Sequence, residues 1–517
     1  MRIWEYQDLT METVIRINDT INGFAWGTFG LVLLLGTGII CTVITGFFQI
    51  GHLRHWWSKT FGIVRDEGRI INDAGALSQS RAFFTALCAT IGTGNIAGVS
   101  TAICVGGPGA VLWMWVAAFF GMMVKYSENV LGLYYRRRNS EGAWSGGPMY
   151  YLQDGLGSIK HCRKLGRLLG ILFCIFTVLA SFGIGNMGQI NKITINFQST
   201  FLQDMNKDLF LGAPKVNWLI GMVLMLTAAI IILGGFRRLA AVSEKLIPFM
   251  SVAYILGCVV MILLHVTKIP VVFMSIFKFA LGPDAIKGGA AGTAVQLAFN
   301  TIKNGCKRGV FSNEAGLGSS VMVHSNSCVR EPVRQGMWGI AEVFLDTMVI
   351  CTLTAFVVLS SGAIDLDTGL VNEGVNDATL VAKAFGTTLG KPGEWFVVLI
   401  IVLFAFTTVL GWSYYGAKVT EYLLGVVWGR IYRLIFIGLI ILGAVMESNL
   451  AWDISDTFNG LMMIPNLIGI IVHIPLIIKI TRNYKDRKMR GKDISPMLSF
   501  DRDIQKEAQA AVLRGLD

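Results

Sequence analysis

Apolar residues run in blocks of about 20 along this chain, separated by short polar, Gly-rich or charged connections. A helix rises about 1.5 Å per residue, so about 20 apolar residues cross a hydrocarbon core about 30 Å thick. Eleven spans are predicted, at roughly 24–47, 82–105, 109–135, 168–190, 217–235, 244–265, 290–322, 336–360, 395–420, 432–449 and 457–480. The pattern predicts an all-α polytopic membrane protein. Composition agrees: of 517 residues, 53% are hydrophobic and only 15% charged, too few polar residues to cover a soluble protein of this size.

The net charge of +11 would suit nucleic acid, but its placement argues for membrane topology. Arg54, Lys59, Arg65, Arg69 and Arg81 follow the first span; Arg136, Arg137, Arg138, Lys160, Arg163, Lys164 and Arg167 follow the third. Arg237, Arg238, Arg330, Arg334, Arg430, Arg433 and the tail with Lys485, Arg487, Lys488 and Arg490 share that parity. The alternate connections are neutral (Gly106–Gly109) or acidic (Asp365, Asp367, Glu373, Asp377, then Glu447, Asp453, Asp456). The positive-inside rule then predicts an external N-terminus and a cytoplasmic C-terminus. The tail reads as a topology signal that also contacts anionic lipid headgroups. Glu5, Asp8, Glu12 and Asp19 crowd the first twenty positions, so no cleavable signal peptide is expected. Neither nucleic acid nor an obligate protein partner is indicated.

One phrase occurs twice. Asn95-Ile96-Ala97-Gly98-Val99-Ser100-Thr101 returns 218 positions later as Asn313-Glu314-Ala315-Gly316-Leu317-Gly318-Ser319, and the same offset pairs Gly121 with Gly339 and Glu128 with Asp346. Asn and clustered Gly are the wrong residues for an uninterrupted lipid-facing helix. Setting the first span apart leaves two units of five spans, each opening on the repeated phrase. Five is odd, so the units enter the membrane from opposite sides. A 5+5 inverted repeat with a broken first helix in each half, plus one additional N-terminal helix, is a leucine-transporter-like architecture. The predicted divisions are 1–81 (N-terminal segment), 82–268 (first repeat), 269–482 (second repeat) and 483–517 (charged tail). A weaker echo pairs Gly183 and Gly188 with Gly411 and Gly416.

The breaks carry the candidate chemistry. Gly92, Gly94 and Gly98 lower the cost of unwinding mid-span, which frees backbone N–H and C=O groups that cannot be left bare in hydrocarbon. An amino-acid zwitterion and a cation satisfy both kinds, the carboxylate at half-helix N–H groups and the cation at freed carbonyls. Asn95 favours this over a small-residue packing groove, because packing needs no amide. In the second break Arg308 and Glu314 are predicted to pair, since a charge at mid-membrane costs on the order of 2.5–3.5 kcal/mol on insertion scales. Glu128 and Asp346 read as structural anchors near the inner ends of their helices. Thr407 and Thr408 offer hydroxyl oxygens to a hard cation, and Trp412 an apolar wall; the alternatives are hydroxyls bonded to their own backbone and an interfacial Trp. Asn186, Gln189 and Asn191 reach the substrate or face a vestibule.

Gly183-Ile184-Gly185-Asn186-Met187-Gly188 fits the dinucleotide fingerprint but lies in an apolar helix with no strand before it, so packing or substrate contact is expected there. The nine cysteines lack CxxC spacing and read as small core residues.

Gly106-Gly107-Pro108-Gly109 through Trp113-Met114-Trp115, followed by Gly121-Met122-Met123-Val124-Lys125-Tyr126-Ser127-Glu128, resembles the alanine-or-glycine:cation symporter family. Thr93–Gly98, Trp144–Tyr151 and Phe311–Gly318 resemble further blocks of it. The resemblance implies a prokaryotic plasma-membrane importer of alanine, often also glycine, driven by Na⁺ and needing no cofactor. It implies substrate at Thr93, Gly94, Asn95, Gln189 and Trp412. It implies Na⁺ near the carbonyls of Ala89 and Thr90 and the hydroxyls of Thr407 and Thr408. Asn313 and Gly316 join the substrate set because the site is expected between the two breaks. The rival readings are H⁺ coupling through Glu314 or Glu128, a channel, and a non-transporting sensor. The first predicts uptake that follows pH, the second a continuous polar stripe, the third a soluble signalling domain. No HExxH or Gly-x-Ser-x-Gly suggests an enzyme.

Overall fold

The computed structural model describes residues 2–63, 76–202, 213–281, 291–370, 379–446 and 450–513. Arg65, Arg69, Glu373, Asp377 and Glu447 lie outside the described residues. The chain opens with α1 (Arg2–Ala25) and α2 (Thr28–Ile44). There follow α3 (Gln79–Thr90), α4 (Ala97–Gly106), α5 (Ala110–Tyr134), α6 (Arg163–Phe182), α7 (Gly188–Phe197), α8 (Ala213–Ile232) and α9 (Gly235–Leu264). After α10 (Ile269–Leu281) come α11 (Ala291–Asn313), α12 (Pro332–Val343), α13 (Thr352–Ser360), α14 (Leu380–Leu389), α15 (Lys391–Leu424), α16 (Val426–Val445) and α17 (Leu450–Val472). α18 (Ile474–Lys488) and α19 (Arg502–Leu513) close it.

Among the described residues, eight helices are long and apolar enough to cross a membrane, nine when α3 and α4 count as one bent span. The expected eleven are therefore not all met. The apolar described part of α8 is the short Val216–Ile232. α11 carries Asn300, Lys303, Asn304, Lys307 and Arg308, which make it too polar to qualify. An unpredicted feature is α1, which ties down on α17. Asn22 donates to Thr457 Oγ1 (3.0 Å), Trp26 Nε1 donates to the carbonyl of Asp456 (3.0 Å), and Lys307 pairs with the Asp456 carboxylate.

The two breaks have different local causes. α3 stops where Ile91 and Gly92 become extended, and a 3₁₀ turn at Thr93–Asn95 re-aims the chain into α4 at 62°. α11 stops at Asn313 because Glu314, Gly316 and Gly318 adopt positive φ (55°, 91° and 74°) before a short helix at Val321–His324. Glu314 is the costly member, since L residues other than Gly seldom take that conformation.

The helices that follow the breaks, α5 and α12, cross closely. A Cβ at Gly339 would lie 2.9 Å from the carbonyl oxygen of Lys125, while one at Gly121 would lie 3.0 Å from the Cβ of Ala315 in the second break. The two glycines paired by the sequence offset thus both mark close approaches, one between α5 and α12 and one between α5 and the second break.

The charged connections do more than report topology. Arg136 is buried, donates to the carbonyls of Ser325, Ser327 and Val329, and stacks 4.0 Å over Trp144. Arg487 grips the buried Glu331 with both guanidinium nitrogens (2.6 and 2.8 Å). The boundary at 482/483 falls inside α18, and the irregular stretch beyond that helix returns to the body where Phe500 N–H donates to the Tyr134 carbonyl (2.9 Å). Cys41, Cys88, Cys174, Cys258, Cys306 and Cys351 are buried free thiols, and Cys104, Cys162 and Cys328 are half-buried.

Candidate functional site

α15 is the wall on which the first break rests. A Cβ at Gly411 would lie 2.6 Å from the Cβ of Ala89, so the backbones of α3 and α15 touch there. One turn earlier Thr408 Oγ1 lies 3.0 Å from the carbonyl of Phe404, the usual local bond of a helical Thr, and 3.4 Å from the carbonyl of Ile91. A side chain at Gly92 would collide with this hydroxyl, so glycine is what admits Thr408 to the break. Thr407 Oγ1 also bonds the Phe404 carbonyl (2.9 Å) and otherwise faces Met250 Sδ, while the Thr407 carbonyl accepts from Cys88 Sγ. Thr90 Oγ1 reaches back to Ala86 O at a long 3.5 Å. Ala89 and Thr90 form the last turn of α3, where carbonyls lack intrahelical partners and carry the negative end of the helix dipole.

Beside this oxygen cluster, Thr93 donates from Oγ1 (2.8 Å) and N (3.3 Å) to Gln189 Oε1. Gln189 donates in turn to the carbonyl of Ile184, inside the π-helical turn Gly183–Met187 that joins α6 to α7. Such turns are frequent at functional sites. The Gly-x-Gly-x-x-Gly sequence is therefore a packing element: a side chain at Gly185 would collide with Trp412. Trp412 is buried (2% exposed) with its ring edge-on to Tyr415, which removes the interfacial reading. Asn186 and Asn191 bond the carbonyls of Phe436 and Met446 on and after α16, away from Thr93. Gly94 meets the second break, since a Cβ there would lie 3.2 Å from Ser312 Cα.

Asn95 holds the first break from within. Its Oδ1 accepts from Gly92 N–H (2.9 Å), and its Nδ2 donates to Asp346 Oδ1 (2.6 Å). Asp346 also accepts from Ser312 (3.1 Å) and Thr347 (2.7 Å).

The second break is organised by its symmetry mate. Glu128 Oε1 accepts from Gly316 N–H (3.0 Å), Gly318 N–H (3.1 Å) and Asn466 Nδ2 (2.6 Å). Those N–H groups, which suit a substrate carboxylate by type, are held by a carboxylate of the protein. Gly316 faces Leu34 of α2 and α17, and Asn313 bonds Thr347 and its own Ala315 N–H. Asn313 and Gly316 thus spend their hydrogen bonds on Thr347, Ala315, Glu128 and Asn466, and none on Thr93, Gln189 or Trp412.

The expected Arg308–Glu314 pair does not form. Glu314 accepts from Ser319, while Arg308 lies 5.6 Å over the Phe311 ring. The cation beside Glu314 is Lys125, overlooked in the sequence although a Lys inside an apolar span is a signal in itself. Its Nζ donates to the Glu314 carbonyl and to Ser320 Oγ, both at 2.9 Å. Glu342, likewise overlooked, lies 3.7 Å from Lys125 Nζ and bonds His324 (2.9 Å).

One end of the α3–α9–α15 group is closed by four contacts. Leu77 bridges to residues 326–328, Arg81 pairs with Glu244 (2.7 Å), Phe236 stacks on Tyr414 (4.1 Å), and Tyr414 OH accepts from Asn326. Among the described residues, no group of three or more His, Cys, Asp or Glu is arranged to hold a metal ion.

The fold matches that of MhsT in complex with L-phenylalanine (TM-score 0.52, 12% identity), over 80% of this chain and 99% of that one. At that identity the likeness speaks for the fold, a leucine-transporter type. The chain is 40% identical to the sodium/alanine symporter AgcS of Methanococcus maripaludis, over 93% of this chain and 99% of that protein. It is 41% identical to an uncharacterized transporter of Haemophilus influenzae, over 93% and 97%. The Sodium:alanine symporter family profile matches residues 11–497. These relatives carry the names of transporters and not of enzymes, and the apolar helices of this chain make it a multi-pass membrane protein. By this match and these identities, the chain belongs to the sodium:alanine symporter family.

Proposed function

We propose that this chain imports alanine, and glycine, together with Na⁺ by alternating access, with its N-terminus outside the plasma membrane and its C-terminus in the cytoplasm. The observation that carries the reading is the meeting of Thr408 Oγ1 with the Ile91 and Phe404 carbonyls, directly beside the Thr93–Gln189 pair. Hydroxyl and carbonyl oxygens are the ligands a hard monovalent cation takes, and none of them brings a buried charge. Thr407 and Thr408, with carbonyls of Ala89, Thr90, Ile91 and Phe404, form the Na⁺ seat. Thr93, Gly94 and Gln189 receive the zwitterion against Trp412, and Asn95 positions them by holding the turn.

In this reading Na⁺ cross-links α3 to α15 and so completes the unwound turn that alanine then occupies. Each Na⁺ entering gains about 2.3 kcal/mol per 100 mV of membrane potential. Release inside requires opening the end closed by Leu77, Arg81, Phe236 and Tyr414. That this end is cytoplasmic is supported by the basic residues around it, Arg136, Arg237 and Arg330. H⁺ coupling is the second reading, supported by the four buried carboxylates of Glu128, Glu314, Glu342 and Asp346.

Uptake of labelled L-alanine into proteoliposomes separates the two. With an inward Na⁺ gradient the wild type accumulates alanine, and Thr408→Ala lowers the rate at least tenfold at equal protein. Uptake that ignores Na⁺ and follows an imposed pH gradient transfers the coupling role to the carboxylates. Uptake of neither kind leaves the fold and removes alanine as substrate.

A further inference from the structure

The second break contains a cation site that is already filled by the protein itself. Lys125 is fully buried and its ammonium stands between the two halves of the break. It donates to the carbonyl of Glu314, where the first half ends, and to Ser320 Oγ, which begins the second (both 2.9 Å). Glu342 Oε1 and Glu128 Oε2 face it at 3.7 and 3.8 Å. Neither of these two oxygens accepts a hydrogen bond, although both residues are fully buried. A carbonyl, a hydroxyl and two carboxylate oxygens around one point are the donor set of a hard monovalent cation. Here an ammonium, a compact charge with three donors on a flexible stem, occupies that point.

The first break offers a cation a different set of oxygens, with no tethered charge. Carbonyls and a hydroxyl converge at Ile91, Phe404 and Thr408, and among the described residues no lysine or arginine bonds them. The repeats are thus alike in opening a helix beside a set of cation-binding oxygens, and unlike in what neutralises it.

We propose that Lys125 is a tethered cation that fills a monovalent-ion site at the second break, so that this chain couples to one fewer free ion than its two breaks have donor sets for. Lys125 is a positioning residue in this scheme: it never leaves, and it holds the halves of the second break in register while the first break loads and releases its ion. The proposal rests on the Na⁺-symport reading for its account of coupling, but the occupancy of the second site is separable from transport.

The test uses purified full-length protein. In Lys125→Ala the ammonium is removed and room is left for an ion. Added Na⁺, against choline at equal ionic strength, is expected to raise the Tm of this variant by several degrees more than that of the wild type. In proteoliposomes its alanine uptake should depend on Na⁺ with a Hill coefficient about one higher than that of the wild type, and carry one more ²²Na⁺ per alanine. Lys125→Met combined with Glu342→Gln fills the space and removes one compensating charge; it should fold and show no added Na⁺ response in Tm. The proposal is overturned if Lys125→Ala shows a wild-type Na⁺ response, or is not recovered by Na⁺ under conditions where the double variant is stable. A wild type that takes up no alanine under a Na⁺ gradient would sink the transport reading while leaving the Tm comparison to decide the tethered cation.

Discussion

The two breaks begin from the same phrase and end in opposite chemistry. The groups that meet the turn of the first break directly are neutral: the Asn95 amide closes it, Gln189 meets Thr93, and Thr408 meets the Ile91 carbonyl, with the Asp346 acid one step behind Asn95. The second is held by ions: Glu128 ties two backbone N–H groups and Lys125 ties the two halves. Neutral partners leave the first break with oxygens still able to bind, and the charged ones leave the second saturated. Each break is also anchored by the other repeat's acid, Asp346 on α12's continuation for the first and Glu128 on α5 for the second. The side chains packed behind the two breaks thus set them apart: one keeps a hydroxyl and carbonyls close together, the other has its backbone groups held by ions.

The largest expected effect tests the frame. Glu128→Ala removes the acceptor of Gly316, Gly318 and Asn466 and leaves Lys125 facing fewer carboxylates. Breaking a buried ionic network by removing one partner costs about 3–5 kcal/mol. The variant should lose most of its folded yield in detergent, read by size-exclusion chromatography, and Glu128→Gln should recover part of it. Asn95→Ala makes the parallel cut in the first break. It strips the Gly92 N–H of its acceptor, while Asp346 keeps Ser312 and Thr347. One buried unsatisfied group costs about 1–3 kcal/mol, so a smaller drop in Tm is expected. An Asn95→Ala protein less stable than Glu128→Ala would break the comparison, because it would make the first break the frame.

Much of this was legible in sequence, and the failures have physical causes. The repeat, the breaks and the pairing of Glu128 with Asp346 follow from residue types at fixed offsets. That each acid crosses to the opposite break does not, since offset says nothing of which repeat a side chain packs against. Thr408 stands out in the sequence because a hydroxyl in an apolar helix is conspicuous. Its meeting with the Ile91 and Phe404 carbonyls does not, because every residue has a carbonyl. Arg308 drew the pairing argument by nearness along the chain to Glu314, whereas Lys125 reaches it only through the α5–α11 packing. The count of eleven is not confirmed by the eight or nine described spans, and α11 is one that falls short, because Asn300, Lys303, Asn304, Lys307 and Arg308 make it too polar.

Inside the first break, the smaller effects separate substrate from ion. Gln189→Ala removes the acceptor of Thr93 and should raise the KM for alanine about tenfold, equivalent to ~1.4 kcal/mol, while the Na⁺ concentration for half-maximal uptake moves less than about twofold. A parallel rise in both would mean that Gln189 supports the turn as a whole and that the substrate lies elsewhere.

The smallest effect is the sharpest. Thr408→Ser keeps the hydroxyl that meets Ile91 and Phe404 and deletes only a methyl, so its Na⁺ half-saturation should stay within about twofold of wild type. Thr408→Val keeps the shape and deletes the oxygen. A hydrogen-bonding or coordinating contact to a charged group contributes about 1.5–3 kcal/mol, so Val should weaken Na⁺ dependence more than tenfold with little change in Tm. The pair holds shape and chemistry apart at one atom. If Ser and Val behave alike, the first break owes its properties to packing, as the second does to its ions, and the contrast between the two breaks loses its functional meaning.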